Sequence, residues 1–458
     1  MRPTIIFINP PGPPRLYRSM VCTFVSKANY IWQPQDFINL SAQIPPEYDL
    51  EFIDCCRDQI TEESLFLKIE SKQPILCVIA LTSISFNLDL TFLKKFKKQF
   101  PKIRCLALGD VLLERVFWKD VLEHSDGILL NSLDIDLEYY IEMNRTNSES
   151  FILKGNISDF KTTSSGVPKE VCIGVPRHEV FMNKKYRFPF VKSYVYATVT
   201  SQFGCPFHCY YCSQSKIPVT YRQHSEVVDE IAKIKGLGVK DIFFGDPSFG
   251  FPRDNAMQIL QGMIKRNLKM RWSCYANPAL LDKGLLELMK RSGCHTLIIG
   301  IDDADFEMLR VKYKRDLSRG CLIDFCTQCH DLKMKVCADF IIGINDDEAA
   351  IDNMILIAKQ LKIDYASFNI YTILFGSRLR ENLIKEGRLD PYSIGGDTSG
   401  NIGSKDEKLV KLRNLAVKKF YLRPTYLYRA LTSISTVPEF MIQAEEMVAM
   451  FKNIISAE

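Results

Sequence analysis

The chain has 458 residues, enough for two or three domains that each bury a core. Hydrophobic residues make up 47% and charged ones 25%, and the net charge of +5 is too small to argue for a nucleic-acid partner. No apolar run approaches the roughly 18–20 residues of a membrane span, and fifteen cysteines without a secretory signal predict free thiols in a reducing, cytoplasmic setting.

Over residues 1–143, short apolar runs alternate with amphipathic stretches. The opening MRPTIIFINPPGPP reads as a buried strand, not a signal peptide. Strands are expected at Ile5–Asn9, Leu50–Asp54, Ile75–Leu81, Arg104–Leu108 and Gly127–Leu130, with a helix over Leu88–Phe100. This alternation predicts an α/β domain, a Rossmann-like doubly wound parallel sheet. Such sheets bind ligands beyond the carboxyl ends of their strands, where this chain has Asn9-Pro10, Thr82-Ser83 and Gly109-Asp110. Residues 144–190 are richer in Ser, Thr, Asn and Gly and read as a linker or strap.

Regularity returns over residues 191–385. VKSYVYATVTSQFG reads as a strand feeding a cysteine-rich loop, followed by strands at Asp241–Phe244, Met270–Ser273, Thr296–Ile301, Val336–Ile342 and Tyr365–Ile370. Helices are expected at Ser225–Lys235, Asp254–Arg266, Gly284–Arg291, Arg319–Leu332 and Asp347–Leu361. Six strand–helix units predict a partial (β/α)6 barrel of the TIM type, with its chemistry at the C-terminal ends of the strands. Residues 386–458 form a helical C-terminal region: a loop over Pro391–Asp406, then amphipathic helices at Lys408–Lys419 and Glu439–Ile455.

The densest chemistry lies in FGCPFHCYYCSQSK, which holds Cys205, Cys209 and Cys212. Three thiolates on one loop can each bind an iron of a [4Fe–4S] cube, leaving the fourth iron for an exchangeable ligand. Zinc held by Cys205, His208, Cys209 and Cys212 is the competing reading. The adjacency of His208 and Cys209 disfavours it, because compact zinc sites draw ligands from two separated pairs. Cys321, Cys326 and Cys329 have part of a ferredoxin spacing but fall in a helical pattern. Cys55-Cys56 reads as a partly exposed thiol pair, and Cys77, Cys105, Cys172, Cys274 and Cys337 as core fillers.

The C-x3-C-x2-C spacing, with Tyr211 before the third cysteine, resembles that of the radical S-adenosylmethionine (SAM) superfamily. The resemblance implies that the open iron chelates the amino and carboxylate groups of SAM. One electron then releases a 5′-deoxyadenosyl radical. It further implies that Gly245 and Asp246 meet the SAM ammonium, Ser273 the carboxylate or ribose, and Asp302 the ribose. Gly343, Ile344 and the main chain of Tyr211 would meet the adenine. Asn277 stands where related enzymes carry or flank an arginine. Arg222 and Glu230 match positions usual in this subgroup, Arg222 reading as functional and Glu230 as a helix surface residue.

A Rossmann-like domain before such a barrel resembles the layout of cobalamin-dependent (class B type) radical SAM proteins, with INPPGPP, SQFGCPFHCYYC and FYLRPTYLYR carrying the likeness. This implies a corrinoid between the domains, near Asn9, Pro10, Thr82, Ser83, Gly109 and Asp110. It also implies methylation of an unactivated carbon in a small molecule, lipid or peptide, with a reductant such as flavodoxin or ferredoxin. The sequence departs from the pattern in three places. No histidine precedes His124, so the D-x-H-x-x-G loop is absent; Asp110 replaces a glycine; and Leu130–Asp134 replaces a G-E-x-E loop. Competing readings are a cobalamin-free radical SAM catalyst, a tRNA methylthiotransferase and a non-catalytic iron–sulfur electron carrier. No catalytic acid or base is assigned from the sequence.

Overall fold

The computed structural model describes residues 2–26, 30–134, 136–154, 167–344, 347–394 and 406–427, together with 440–442, 444–445 and 448–449. The first sheet comprises β1 (Thr4–Asn9), β2 (Asp49–Asp54), β3 (Leu76–Ala80), β4 (Arg104–Leu108), β5 (Gly127–Leu129) and β6 (Phe151–Leu153). Its order is β2-β1-β3-β4-β5-β6, parallel except for β6, which runs antiparallel to β5. β1 and β3 are almost wholly apolar because both faces of the sheet are covered, one core on each side. Strand order reverses between β1 and β3, so their C-terminal ends bound the ligand crevice of such sheets.

The described parts of the stretch read as a linker or strap contribute strands to the fold. β6 lies within it, and its Lys169–Val171 pairs with Thr220–Arg222. Both are three-residue strands held by their partners, too short for a periodic signal.

The second sheet runs in sequence order and is parallel throughout: β7 (Ala197–Val199), β8 (Asp241–Phe249), β9 (Arg271–Ala276), β10 (Cys294–Asp302), β11 (Lys335–Ile342) and β12 (Tyr365–Ile370). Alternate side chains, among them Val199, Phe244, Trp272, Leu297, Val336 and Phe368, pack outward into one large core with the surrounding helices. The opposite set faces the barrel lumen. Helix limits follow their caps. The Asp282 carboxylate accepts from Leu285 N to start Lys283–Ser292, and Gly293 ends it at φ +110°, where a Cβ would lie 1.9 Å from Met270 O.

The helix Arg319–Asp331 carries Cys321, Cys326 and Cys329, and the last two are buried in the barrel core. Two cysteine expectations need correction. Cys55 and Cys56 are both buried, because they open a short helix that packs beneath β1, and Cys172 is exposed rather than a core filler.

Before β7, Tyr186 and Phe188 fold under the barrel and pack on lumen-facing Phe243, with the indole of Trp32 5.7 Å from the same ring. Beside Trp32, the side-chain amide of buried Gln33 binds the outer edge of β7. Its Nε2 donates to Tyr196 O at 3.0 Å, and its Oε1 accepts from Thr198 N at 2.7 Å. A side chain thus takes the place of a neighbouring strand.

The C-terminal helix Glu407–Tyr421 packs Phe420 against Phe368 of β12. Most of the expected loop at 391–406 and of the helix at 439–455 lies outside the described residues. Among those described, no helix is long and apolar enough to cross a membrane.

Candidate functional site

The cysteine loop begins and ends at one neck. After β7, Gln202 and Phe203 pair antiparallel with Tyr221 and Thr220. Gly204 closes the neck at φ +80°, where a Cβ would lie 2.5 Å from Pro218 O and 2.7 Å from Ile217 O, so only glycine fits. Three bonds hold the tip of the loop. Tyr210 N donates to Tyr313 O at 2.9 Å, Leu379 N donates to Tyr210 O at 2.9 Å, and Asn382 Nδ2 donates to Tyr210 Oη at 2.6 Å.

Cys205, Cys209 and Cys212 are half-buried on this loop. Burial pushes the Cys205 thiol up to about 11 and, reinforced by the neighbouring sulfurs, the Cys212 thiol up to about 12. Burial also raises Cys209, against an opposing pull from Arg315. Alone, these groups are thiols at neutral pH; cationic iron is what would make them thiolates. Among the described residues, no three His, Cys, Asp or Glu side chains form a ready site for a single metal ion. His208 is exposed whereas the three cysteines are half-buried, which weighs against the zinc arrangement. Three thiols on a loop pinned at its neck and tip are a donor set that fits an iron–sulfur cube.

Tyr211, Asp302 and Ile344 come together beside this loop. Tyr211 and Ile344 share an apolar cluster with Cys209, Cys212, Tyr313 and Tyr371. Tyr211 Oη donates to Asp302 Oδ2 at 2.6 Å, and Arg315 Nε donates to the same oxygen at 3.0 Å. Arg315 also donates to Gly300 O at 2.6 Å. This guanidinium stands between the Cys209 sulfur and the Asp302 carboxylate and places a buried positive charge where an anionic cluster would sit. Arg315 escaped the sequence reading because no local motif marks it; only the fold returns it to the cysteines. Gly343, at φ +102°, is pressed by Leu409 of the C-terminal helix, 3.0 Å from where its Cβ would be.

Other expected contacts are engaged elsewhere. Gly245 faces the N-terminal domain, where a Cβ would lie 2.4 Å from Gln35 Oε1. Asp246 accepts from Ser201 N at 2.6 Å, Gln202 N at 3.0 Å and the Ser201 hydroxyl. Ser273 is in mid-strand, since β9 runs on to Ala276; its buried hydroxyl has no hydrogen-bond partner among the described residues. Asn277 Oδ1 accepts from Ala279 N at 3.1 Å, a local turn.

Glu230 is a correction. It is fully buried, not on a helix surface, because Arg222 and His178 close over it. His178 Nε2 lies 2.6 Å from Glu230, and Arg222 reaches Thr200 O at 3.1 Å and Gly174 O at 3.0 Å.

Higher in the lumen, Tyr275, Asp339, Ser367 and Asn369 are half-exposed while their strand neighbours are buried. The Tyr275 ring packs on Trp32 and Phe243, and the other three are polar side chains on the lumen face of their strands.

In the N-terminal crevice, Arg18 ties the strand ends together, bonding Asp89 at 2.7 Å, Asn9 Oδ1 at 2.6 Å and Pro10 O at 3.0 Å. Asn9 also donates to Asp54 at 2.6 Å, and Thr82 N donates to Asp89 at 2.8 Å. Gly109 is fixed as glycine, since at φ +145° a Cβ would lie 1.8 Å from Leu81 O. Asp110 accepts from Ser83 N at 2.8 Å, and burial pushes its carboxyl up to about 6. Asn9 and Thr82 are therefore consumed internally, and buried Ser83 gives both its N–H and its hydroxyl to half-exposed Asp110. Asp110 is thus the half-exposed acceptor there that could meet the amide fringe of a corrinoid, and none of these side chains is an imidazole that could ligate cobalt.

Comparisons bear on the whole arrangement. Residues 199–356 match the radical SAM superfamily. An uncharacterized methyltransferase of Pyrococcus horikoshii is 28% identical over 267 residues, 56% of this chain and 57% of that protein. An anaerobic magnesium-protoporphyrin IX monomethyl ester cyclase of Cereibacter sphaeroides is 24% identical over 343 residues, 71% of this chain and 55% of that protein. The matches thus span little more than half the length of these relatives. The radical SAM methyltransferase TsrM from Kitasatospora setae, solved with cobalamin and a [4Fe–4S] cluster, aligns over 100% of both chains with a TM-score of 0.65 and 12% identity. At that identity the likeness is one of fold.

Proposed function

We propose that this chain, whose residues 199–356 match the radical SAM superfamily, cleaves SAM reductively at a [4Fe–4S] cluster on Cys205, Cys209 and Cys212 and transfers a methyl group to an unactivated carbon. The observation that carries this reading is the neck-closed cysteine loop, pinned beside Asp302, Arg315 and Tyr211 at the C-terminal ends of the strands. When bound, the cluster supplies one electron at low potential. The protein's part is to hold and orient. Arg315 offsets the negative charge of the thiolates, and Ile344 with Tyr211 offers an apolar face for adenine. Tyr275, Asp339, Ser367 and Asn369 would line the substrate's place in the lumen, screened from bulk water by the N-terminal domain.

The full-length likeness to a cobalamin-bound structure supports a corrinoid in the N-terminal crevice. Asp110, braced by Ser83, would meet its amide fringe, and the group would supply a methyl carrier. A second reading, radical-initiated ring closure, is favoured by the relative named as a cyclase, whose match covers the larger share of this chain. In either case a small reducing protein is the expected electron donor.

The test is anaerobic reconstitution with iron and sulfide, reduction, and addition of SAM. The wild type should release 5′-deoxyadenosine, and single Cys→Ala variants of the trio should release none. An intact SAM pool with a loaded, reduced cluster would refute the enzymatic reading. The absorption spectrum of protein produced with cobalamin reads whether a corrinoid is bound, and the reaction products decide between methyl transfer and ring closure.

A further inference from the structure

We propose that Asp246 is a positioning residue for the cluster loop, not a ligand of the SAM ammonium group: its carboxylate clamps the two residues that lead from β7 into the loop. This rests on the cluster reading above. Asp246 is wholly buried, one strand over from β7. Successive amides of Ser201 and Gln202 donate to one oxygen at 2.6 and 3.0 Å, and the Ser201 hydroxyl donates to the other. Both oxygens are therefore satisfied by the protein. The carboxylate has no exposed surface, so an ammonium group could reach the remaining acceptor site on Oδ2 only by opening this clamp.

The same stretch is gripped from its other side. Arg222 N donates to Ser201 O at 2.9 Å, and the Arg222 guanidinium donates to Thr200 O at 3.1 Å. Residues 200–202 are thus held on both flanks, two residues before the glycine that closes the neck. The direction in which Cys205 leaves the barrel depends on this clamp.

The experiment compares full-length wild type, Asp246→Asn and Ser201→Ala after anaerobic reconstitution, by electron paramagnetic resonance of the reduced cluster with and without SAM and by iron loss to a chelator. Asp246→Asn turns an amide N–H toward backbone N–H groups. It should alter the SAM-free signal and speed iron loss roughly tenfold, as loss of a supporting partner does at metal sites. Ser201→Ala removes one of the three donors and should shift both readouts in the same direction by less. A SAM-free spectrum and iron retention equal to wild type in Asp246→Asn overturns the proposal. If that variant also binds SAM roughly tenfold or more weakly, Asp246 is a SAM ligand instead. Should Asp246→Asn not fold, Ser201→Ala decides: an unchanged SAM-free spectrum and iron retention overturn the proposal. A wild type that takes up no four-iron cluster refutes the functional reading itself.

Discussion

Replacing Glu230 by Gln removes one negative charge from the most enclosed ionic group of the barrel. Glu230, Arg222 and His178 are each at most 1% exposed. The carboxylate is the counter-ion of Arg222 and lies 2.6 Å from His178 Nε2. Without it, Arg222 keeps only carbonyl partners, Thr200 O at 3.1 Å and Gly174 O at 3.0 Å, which carry no net charge. Breaking a buried ion pair from one side costs about 3–5 kcal/mol, and the retained shape of Gln places the expected loss near 3. Urea unfolding of the metal-free protein, followed by circular dichroism, reads it. With a slope of roughly 3 kcal/mol/M the midpoint should fall by about 1 M. Acid supplies the sign. Burial pushes the Glu230 carboxyl up, but Arg222 and His178 together pull it below its ordinary value. Its contribution is therefore present above the unfolded value of about 4.3 and lost as pH falls through the folded one. The two proteins should differ at pH 7 and converge in acid. A difference below about 1 kcal/mol at pH 7, or one that acid leaves unchanged, refutes the reasoning.

Gln33→Ala should orphan Tyr196 O and Thr198 N on the edge of β7, costing about 2–4 kcal/mol. The melting temperature should drop and Thr198 should lose hydrogen-exchange protection; unchanged protection there would contradict the assignment. Asp110 titrates the other way from Glu230. With its carboxyl pushed by burial up to about 6, against about 3.9 unfolded, its contribution is present in acid and lost as pH rises through 6. Relative to Asp110→Asn, the wild type should lose about 1 kcal/mol between pH 5 and pH 8, and parallel unfolding profiles of the two proteins would show the shift to be absent.

Both sheets were legible because strands buried on two faces write themselves as apolar runs. Arg104–Leu108 and Tyr365–Ile370 coincide with their expected limits. β6 and Lys169–Val171 were not, since three residues in a polar stretch carry no period and depend on partners distant in sequence. The cysteine loop was readable because cluster chemistry needs its sulfurs close together in the chain. Its setting was not. Tyr211 and Asp302 are 91 residues apart, and Arg315 joins them only when β10 and the following helix deliver it. Glu230 misled for a related reason. Its helix has the ordinary charge pattern of an amphipathic surface, and the Arg222 and His178 that enclose it come from a short strand and from the strap.

The single neck of the cysteine loop has a practical consequence. A segment that leaves and rejoins the barrel at one glycine-sealed point can change its contents without asking the strands to move. Variants stripped of all three sulfurs should therefore be intact, chemically silent shells. Such shells would keep an unaltered substrate seated rather than consume it, and so could retrieve that unknown molecule from an extract.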